Sequence, residues 1–349
     1  MANGSLCLAS VILTLLALEV ATRLWYAPHT FFDWTNRIEA HRRHDVSTDI
    51  YDPVTGFGGS PAFVSTAPGR EQRTVRPMPA LPAGAVAEPP ILTTGDSFTF
   101  GWEVADGETW PAYLQQDLRW RTVNGGVMGY GLDQIVLRTE LLVRQVRPAA
   151  TVVAFIADDI LRSEMSRIWD VEKPYFEREG DRLVLRNAPP PEPAVANRLT
   201  LVQRLLGWSV LYGKVVTRLD GIETEPVGRR VRALPRGAGE ALACPLMRRL
   251  AALGTPTLVV ALYEPRVWTG PPAESTELRR VSAVVVACAR AAGLPTVDLH
   301  DTLDKAIREQ GFGAVFGQGT DHLDARGNRL AGAAIAAALR PLLPAPATR

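Results

Sequence analysis

Four short stretches of the chain carry residue types that can do chemistry. Gly95-Asp96-Ser97-Phe98-Thr99 puts a serine where an apolar run ends. On a strand-to-helix turn such a serine presents its hydroxyl over the sheet edge and its own N–H at a helix N-terminus, so nucleophile and oxyanion donor come from one residue. The same residue type also caps helices and then does no chemistry. Asn124-Gly125-Gly126-Val127-Met128-Gly129-Tyr130-Gly131 is the second stretch; its glycines either let a backbone N–H approach a ligand or only supply the positive φ of a turn. Ala157-Asp158-Asp159-Ile160 pairs two carboxylates, which suit a metal, acid–base work or the cap of the next helix. The fourth is Asp321-His322, ahead of the helical pattern RLAGAAIAAALRPLL. A histidine there reaches back across the strand ends as a base, or is a solvated loop residue. Of the five histidines, His29, His41 and His44 lie near the amino terminus and His300 closes an apolar run.

The elements that must position these residues are five short apolar runs: PILTTG (90–95), RTVNGGV (121–127), ATVVAFIA (150–157), TPTLVVALY (255–263) and LPTVDLH (294–300). Runs of this length rich in Val, Ile, Leu and Thr suit strands buried on both faces. Helical patterns lie between them, among them TWPAYLQQDLRW, LDQIVLRTELLVRQV and STELRRVSAVVVACARAAG. Such alternation predicts an α/β fold, a parallel sheet with helices on both sides and a ligand at the carboxyl ends of the strands. Residues 165 to 235 interrupt it with a hairpin turning at Glu179-Gly180-Asp181 and the amphipathic LTLVQRLLGWSVLYGKVVTRL. This insertion is expected to form a cap or a partner surface, its apolar stripe packed on the domain rather than on a membrane.

At the amino terminus the charge-free LCLASVILTLLAL (6–18) is shorter than the ~20 residues a span needs. If Glu19 and Arg23 pair one turn apart and Arg23 snorkels, the helix reaches Tyr26, with Trp25 and Tyr26 at headgroup level. No basic residue precedes the apolar core and no small-residue cleavage site follows it, so an uncleaved anchor over 6–26 is expected rather than a signal peptide. Arg23, Arg37, Arg42 and Arg43 all follow the segment, which by charge alone puts the body of the protein in the cytoplasm. Residues 27–88, rich in Pro, Gly and Arg, show no sustained period and suit a stalk or covering segment. The α/β domain is placed at 89–349.

With 38 basic and 37 acidic residues, nothing in the charge calls for a nucleic-acid partner. Cys7, Cys244 and Cys288 form no C-x-x-C pair, and a reduced, buried Cys244 and Cys288 are expected in preference to a disulfide. GDSFTFG lacks the lysine of a phosphate-cradling loop, and no cofactor or metal is expected.

In combination, Gly-Asp-Ser, then Asn-x-Gly-x-x-Gly, then a strand-end Asx-Asp, then a late His before a helix resembles the SGNH, or GDSL-type, hydrolase superfamily over residues 90–345. GDSFTFG with ETWP, N.G..GYG..Q and KPYF is closest to its membrane-anchored bacterial branch. The resemblance implies a flavodoxin-like three-layer sandwich. It implies Ser97 as nucleophile with its own N–H in the oxyanion hole, Gly129 as second donor and His322 as base, for acyl transfer from an oxygen ester. It also implies a domain outside the cytoplasm, in the bacterial cell envelope, against the reading from charge. Two positions depart from the pattern. Asp158 stands where the family has an Asn whose amide is the third oxyanion donor, and an ionised carboxylate donates nothing. Gly319 stands where the acid that orients the histidine belongs, leaving Asp321, adjacent to the histidine, as the candidate. The expected activity is therefore a serine esterase or deacetylase acting on an acylated carbohydrate, lipid or small ester. The alternatives are an O-acyltransferase of a polysaccharide or metabolite and a non-catalytic domain that binds a glycan or a membrane partner.

Overall fold

A computed structural model describes residues 2–39, 49–59, 76–168, 171–180, 182–192, 198–220, 230–317 and 320–345. The chain forms two compact units. The larger comprises residues 48–165, 173–190 and 233–349, the smaller residues 1–47, 166–172 and 191–232.

In the larger unit the five apolar runs become one sheet: β1 (Val86–Thr94), β2 (Trp120–Asn124), β3 (Ala150–Phe155), β4 (Thr257–Ala261) and β5 (Thr296–Asp298). The order is β2-β1-β3-β4-β5 and every pairing is parallel. Ile91, Leu92, Val152, Val153, Val259 and Val260 are fully buried, as strands covered on both faces require. One layer of helices holds Trp110–Leu118, His300–Gln310 and Ala325–Leu339; the other holds Leu132–Val146, Ala238–Ala251 and Pro272–Ala291. This is the three-layer, flavodoxin-like α/β architecture expected. Chain order reverses between β1 and β3, so a crevice opens at their carboxyl ends.

Two segments ahead of β1 join this unit. The hairpin Asp49–Asp52 with Gly56–Gly59 delivers Thr55 and Phe57 to the buried Tyr130, whose hydroxyl donates to the Phe57 carbonyl. Arg76, 2% exposed, reaches the carbonyls of Phe100, Gly101 and Val104 and the carboxylate of Asp106. The hairpin expected at 179–181 pairs Tyr175–Glu179 with Arg182–Arg186 in this unit; Asp181 lies outside the described residues.

One expectation is corrected. Cys244 and Cys288 are disulfide-bonded, because the packed helices Ala238–Ala251 and Pro272–Ala291 bring their Cα atoms to 4.6 Å, within bonding reach. Within the smaller unit the apolar residues after Thr200 divide, Val210 being buried while those of the preceding helix are exposed. Leu201, Val202, Leu205 and Leu206 are 71, 52, 61 and 40% exposed, because helix Leu201–Leu206 is held by its backbone carbonyls and Gly207, not by its leucines.

The smaller unit contains the amino-terminal helix Ala2–Tyr26, long and apolar enough to cross a membrane over Leu6–Tyr26. It also contains helices Leu201–Leu206 and Val210–Asp220 and strand Arg230–Arg232.

Candidate active site

On the turn after β1, Ser97 is not the residue that caps the helix. The cap of helix Ser97–Phe100 is Asp96, whose carboxylate accepts from the Phe98 N–H at 3.0 Å. Ser97 is thereby the first helical residue, its hydroxyl released from capping. Gly95 is required for this geometry, since a Cβ there would stand 2.0 Å from Thr99 Oγ1 and 2.8 Å from the Ala154 carbonyl. Gly101 closes the short helix at φ +81°, and its N–H donates to the Ser97 carbonyl.

Asn124 clamps the second glycine stretch to this helix. Its amide donates to the Thr99 carbonyl at 2.9 Å and its Oδ1 accepts from Gly126 N–H at 3.0 Å. A Cβ on Gly126 would meet Phe100 N at 2.4 Å, so this glycine serves close backbone packing. Gly129 is the one at positive φ, +71°.

The late histidine is delivered by helix Ala325–Leu339. Asp324 caps that helix, and Asn328 donates to the carbonyls of Leu323 and Asp324 while accepting from Trp110 N–H. The loop so held places His322 Nε2 2.9 Å from Ser97 Oγ, across 225 residues of sequence. The Phe98 ring lies 4.8 Å from the imidazole. Burial lowers the His322 pKa to about 4, against the opposing charge of Asp321 and with a smaller push from Arg162. The ring is therefore neutral near pH 7 and free to accept the serine proton.

The outer nitrogen, Nδ1, has no hydrogen-bond acceptor among the described residues. Asp321 acts on the ring only through its charge. The carboxylate facing Nδ1 is Glu103, at 3.8 Å. Glu103 holds a positive φ of +78°, a conformation costly for a residue with a Cβ. Gly319 lies outside the described residues.

At the end of β3 the two aspartates separate. Asp159, fully buried, accepts from Ile156 N–H and from Arg162, and so caps its helix. Asp158 accepts from Arg266 at 2.8 Å and from Arg162 at 3.4 Å. Arg162 also lies 3.6 Å from Asp96 and donates to the Tyr130 carbonyl. Glu264, 5% exposed on the turn after β4, shares Arg266, and burial beside Asp158 raises its pKa to about 7. Among the described residues no three of His, Cys, Asp and Glu group so as to hold a metal. A cavity of about 460 Å³ beside the histidine loop is lined by Pro265, Thr269, Phe312, Phe316, Thr320 and Asp321.

A family model described as GDSL-like Lipase/Acylhydrolase matches residues 93–330, from the end of β1 into the last helix. The chain belongs to the GDSL-like lipase/acylhydrolase family. Among solved structures it is similar to an acetylxylan esterase from Geobacillus stearothermophilus, at 15% identity and TM-score 0.45 over 74% of this chain and 95% of that one. It is also similar to the lipase/acylhydrolase from Enterococcus faecalis, at 14% identity and TM-score 0.44 over 74% and 100%. No curated protein matches the chain.

For a GDSL-like chain, Ser97 and His322 stand together as expected, while Asp158 faces two arginines instead of offering an amide. Three residues near the site went unnoticed in the sequence. Arg162 had a local signal, standing three and four residues after the paired aspartates. Arg266 and Glu103 had none, because each meets its partner only through the fold.

Proposed function

We propose that this protein is a membrane-anchored serine ester hydrolase acting through an acyl-enzyme on an acylated carbohydrate, lipid or small ester. The observation that carries it is the 2.9 Å contact of Ser97 Oγ with a neutral His322 at the crevice between β1 and β3. His322 takes the Ser97 proton as Oγ attacks the ester carbonyl, then returns it to the leaving alcohol. In the second half it deprotonates water, which attacks the acyl-Ser97 ester; the acid leaves and Ser97 regains its proton. The developing oxyanion is held by the N–H groups of Ser97 and Gly129.

Asp158 adds no donor in this scheme. Arg266 and Arg162 offset its charge, so it does not oppose the oxyanion with a bare negative field. Glu103 is the positioning residue for His322: a short side-chain movement closes 3.8 Å to a hydrogen bond on Nδ1, and such contacts often tighten only with substrate bound. The 460 Å³ cavity, walled by Phe312 and Phe316, suits an apolar part of the ester.

The disulfide supports a compartment outside the cytoplasm, where such bonds persist. The exposed apolar face of Leu6–Tyr26 supports an anchor. The test is hydrolysis of p-nitrophenyl acetate by the full chain in detergent beside Ser97→Ala. Turnover that survives Ser97→Ala unchanged sinks the proposal.

A further inference from the structure

The smaller unit carries two charged side chains inside its apolar helix. Glu19 and Arg23 are 2% and 0% exposed, although Leu13, Leu16, Leu18, Val20 and Leu24 around them are 40–66% exposed. They pair at 2.7 Å, and their remaining hydrogen-bonding capacity goes to other segments. Arg23 donates to the carbonyls of Phe31, Asp33 and Trp208 and lies over the Trp34 ring. Glu19 accepts from Ser209 Oγ and from the N–H groups of Val210 and Leu211, and so caps helix Val210–Asp220 from outside it.

This arrangement fixes the level of the later helices along the anchor. The charge-free part, Leu6–Leu18, spans only ~20 Å at 1.5 Å per residue, against a hydrocarbon core ~30 Å thick. Glu19 and Arg23 therefore belong to the last turns at membrane depth, where unsatisfied polar groups are costly. Trp208–Leu211, which satisfies them, lies at the same level.

Helix Leu201–Leu206 ends two residues before that contact and is tied to Asn36 through the carbonyls of Gln203 and Arg204. Its leucines and valine point outward, together with Phe32 at 87% and Trp34 at 48% exposure. The same unit holds Lys214 over the Tyr26 ring at 4.5 Å, a cation and an aromatic of the kind found at headgroup level.

From the hydrogen bonds that tie Trp208–Leu211 to Arg23 and Glu19 of the anchor, and from these exposed apolar side chains, we infer that helix Leu201–Leu206, with Phe32 and Trp34, is a collar inserted into the bilayer that Leu6–Tyr26 spans. The occupant of this surface is lipid. The inference rests on the anchor reading, and extends it from a single helix to a membrane-embedded unit in which the insertion shields Glu19 and Arg23.

The experiment uses the full chain in a Cys7→Ser background with either Leu205→Cys or Leu13→Cys, labelled with a nitrobenzoxadiazole fluorophore. Each is reconstituted into phosphatidylcholine–phosphatidylglycerol vesicles, with and without nitroxide-labelled phosphatidylcholine. Both probes are expected to show blue-shifted emission that the nitroxide lipid quenches and iodide does not. A probe at 205 quenched by iodide, while that at 13 is quenched by lipid, overturns the collar and leaves the anchor standing. A probe at 205 shielded from both quenchers means protein covers the surface, and also overturns it. Loss of lipid quenching at 13 as well removes the anchor reading itself.

Discussion

His322 Nδ1 faces Glu103 Oε2 at 3.8 Å, while Asp321, adjacent in sequence, acts on the ring through its charge. The carboxylate nearest the outer ring nitrogen thus comes from just beyond helix Ser97–Phe100 and not from the histidine loop. Glu103→Gln is expected to lower kcat about 10²-fold, the lower end of what a positioned acid–base group contributes, with KM little changed. Glu103→Asp should recover part of kcat, while Asp321→Asn should leave kcat near wild type and move the acid limb of the pH profile downward, since its charge favours the imidazolium. The reverse order of effects would return the role to Asp321.

If Ser97 and His322, in contact at 2.9 Å, act as one unit as proposed, their losses do not add. Ser97→Ala and His322→Ala should each reduce kcat by about 10⁴–10⁶-fold, and the double variant no further. Esterase assays on purified protein with a fluorophosphonate label at Ser97 check both points.

Burial holds the His322 pKa at about 4, below the ordinary 6.5. The base form is therefore populated above that value, and kcat/KM should fall only as pH drops through about 4. An acid limb centred near 6.5 would mean that the site is open to water.

Gly95 and Gly126 leave no room for a methyl group. Cβ atoms there would stand 2.0 Å from Thr99 Oγ1 and 2.4 Å from Phe100 N. Gly95→Ala and Gly126→Ala should each destabilise by about 1–3 kcal/mol through overpacking, read by urea unfolding. Gly313→Ala, with open space at its Cβ, is the control.

The Cys244–Cys288 bond closes a 44-residue separation. On the chain-entropy account such a loop contributes about 4 kcal/mol, so the Cys244→Ser/Cys288→Ser pair should lower the unfolding midpoint. Mass analysis after alkylation without reductant should find only Cys7 modified.

What the sequence determined by itself is what neighbours in the chain decide. The five strands follow from short runs of Val, Ile, Leu and Thr with turn residues after each, and the buried β1, β3 and β4 bear this out. Gly95-Asp96-Ser97 specified a strand-to-helix turn. The tertiary structure alone decided the rest, because those contacts join residues far apart whose approach depends on how layers pack. Arg266 meets Asp158 across 108 residues and so turns the departure at that position into a charge-balanced one. Cys244 and Cys288 looked like two buried thiols until packed helices brought their Cα atoms to 4.6 Å. Leu201–Leu206 has the composition of a buried stripe, yet its backbone ties to Asn36 leave the leucines outward. Periodicity records which face of a helix is apolar; only the fold determines what that face meets.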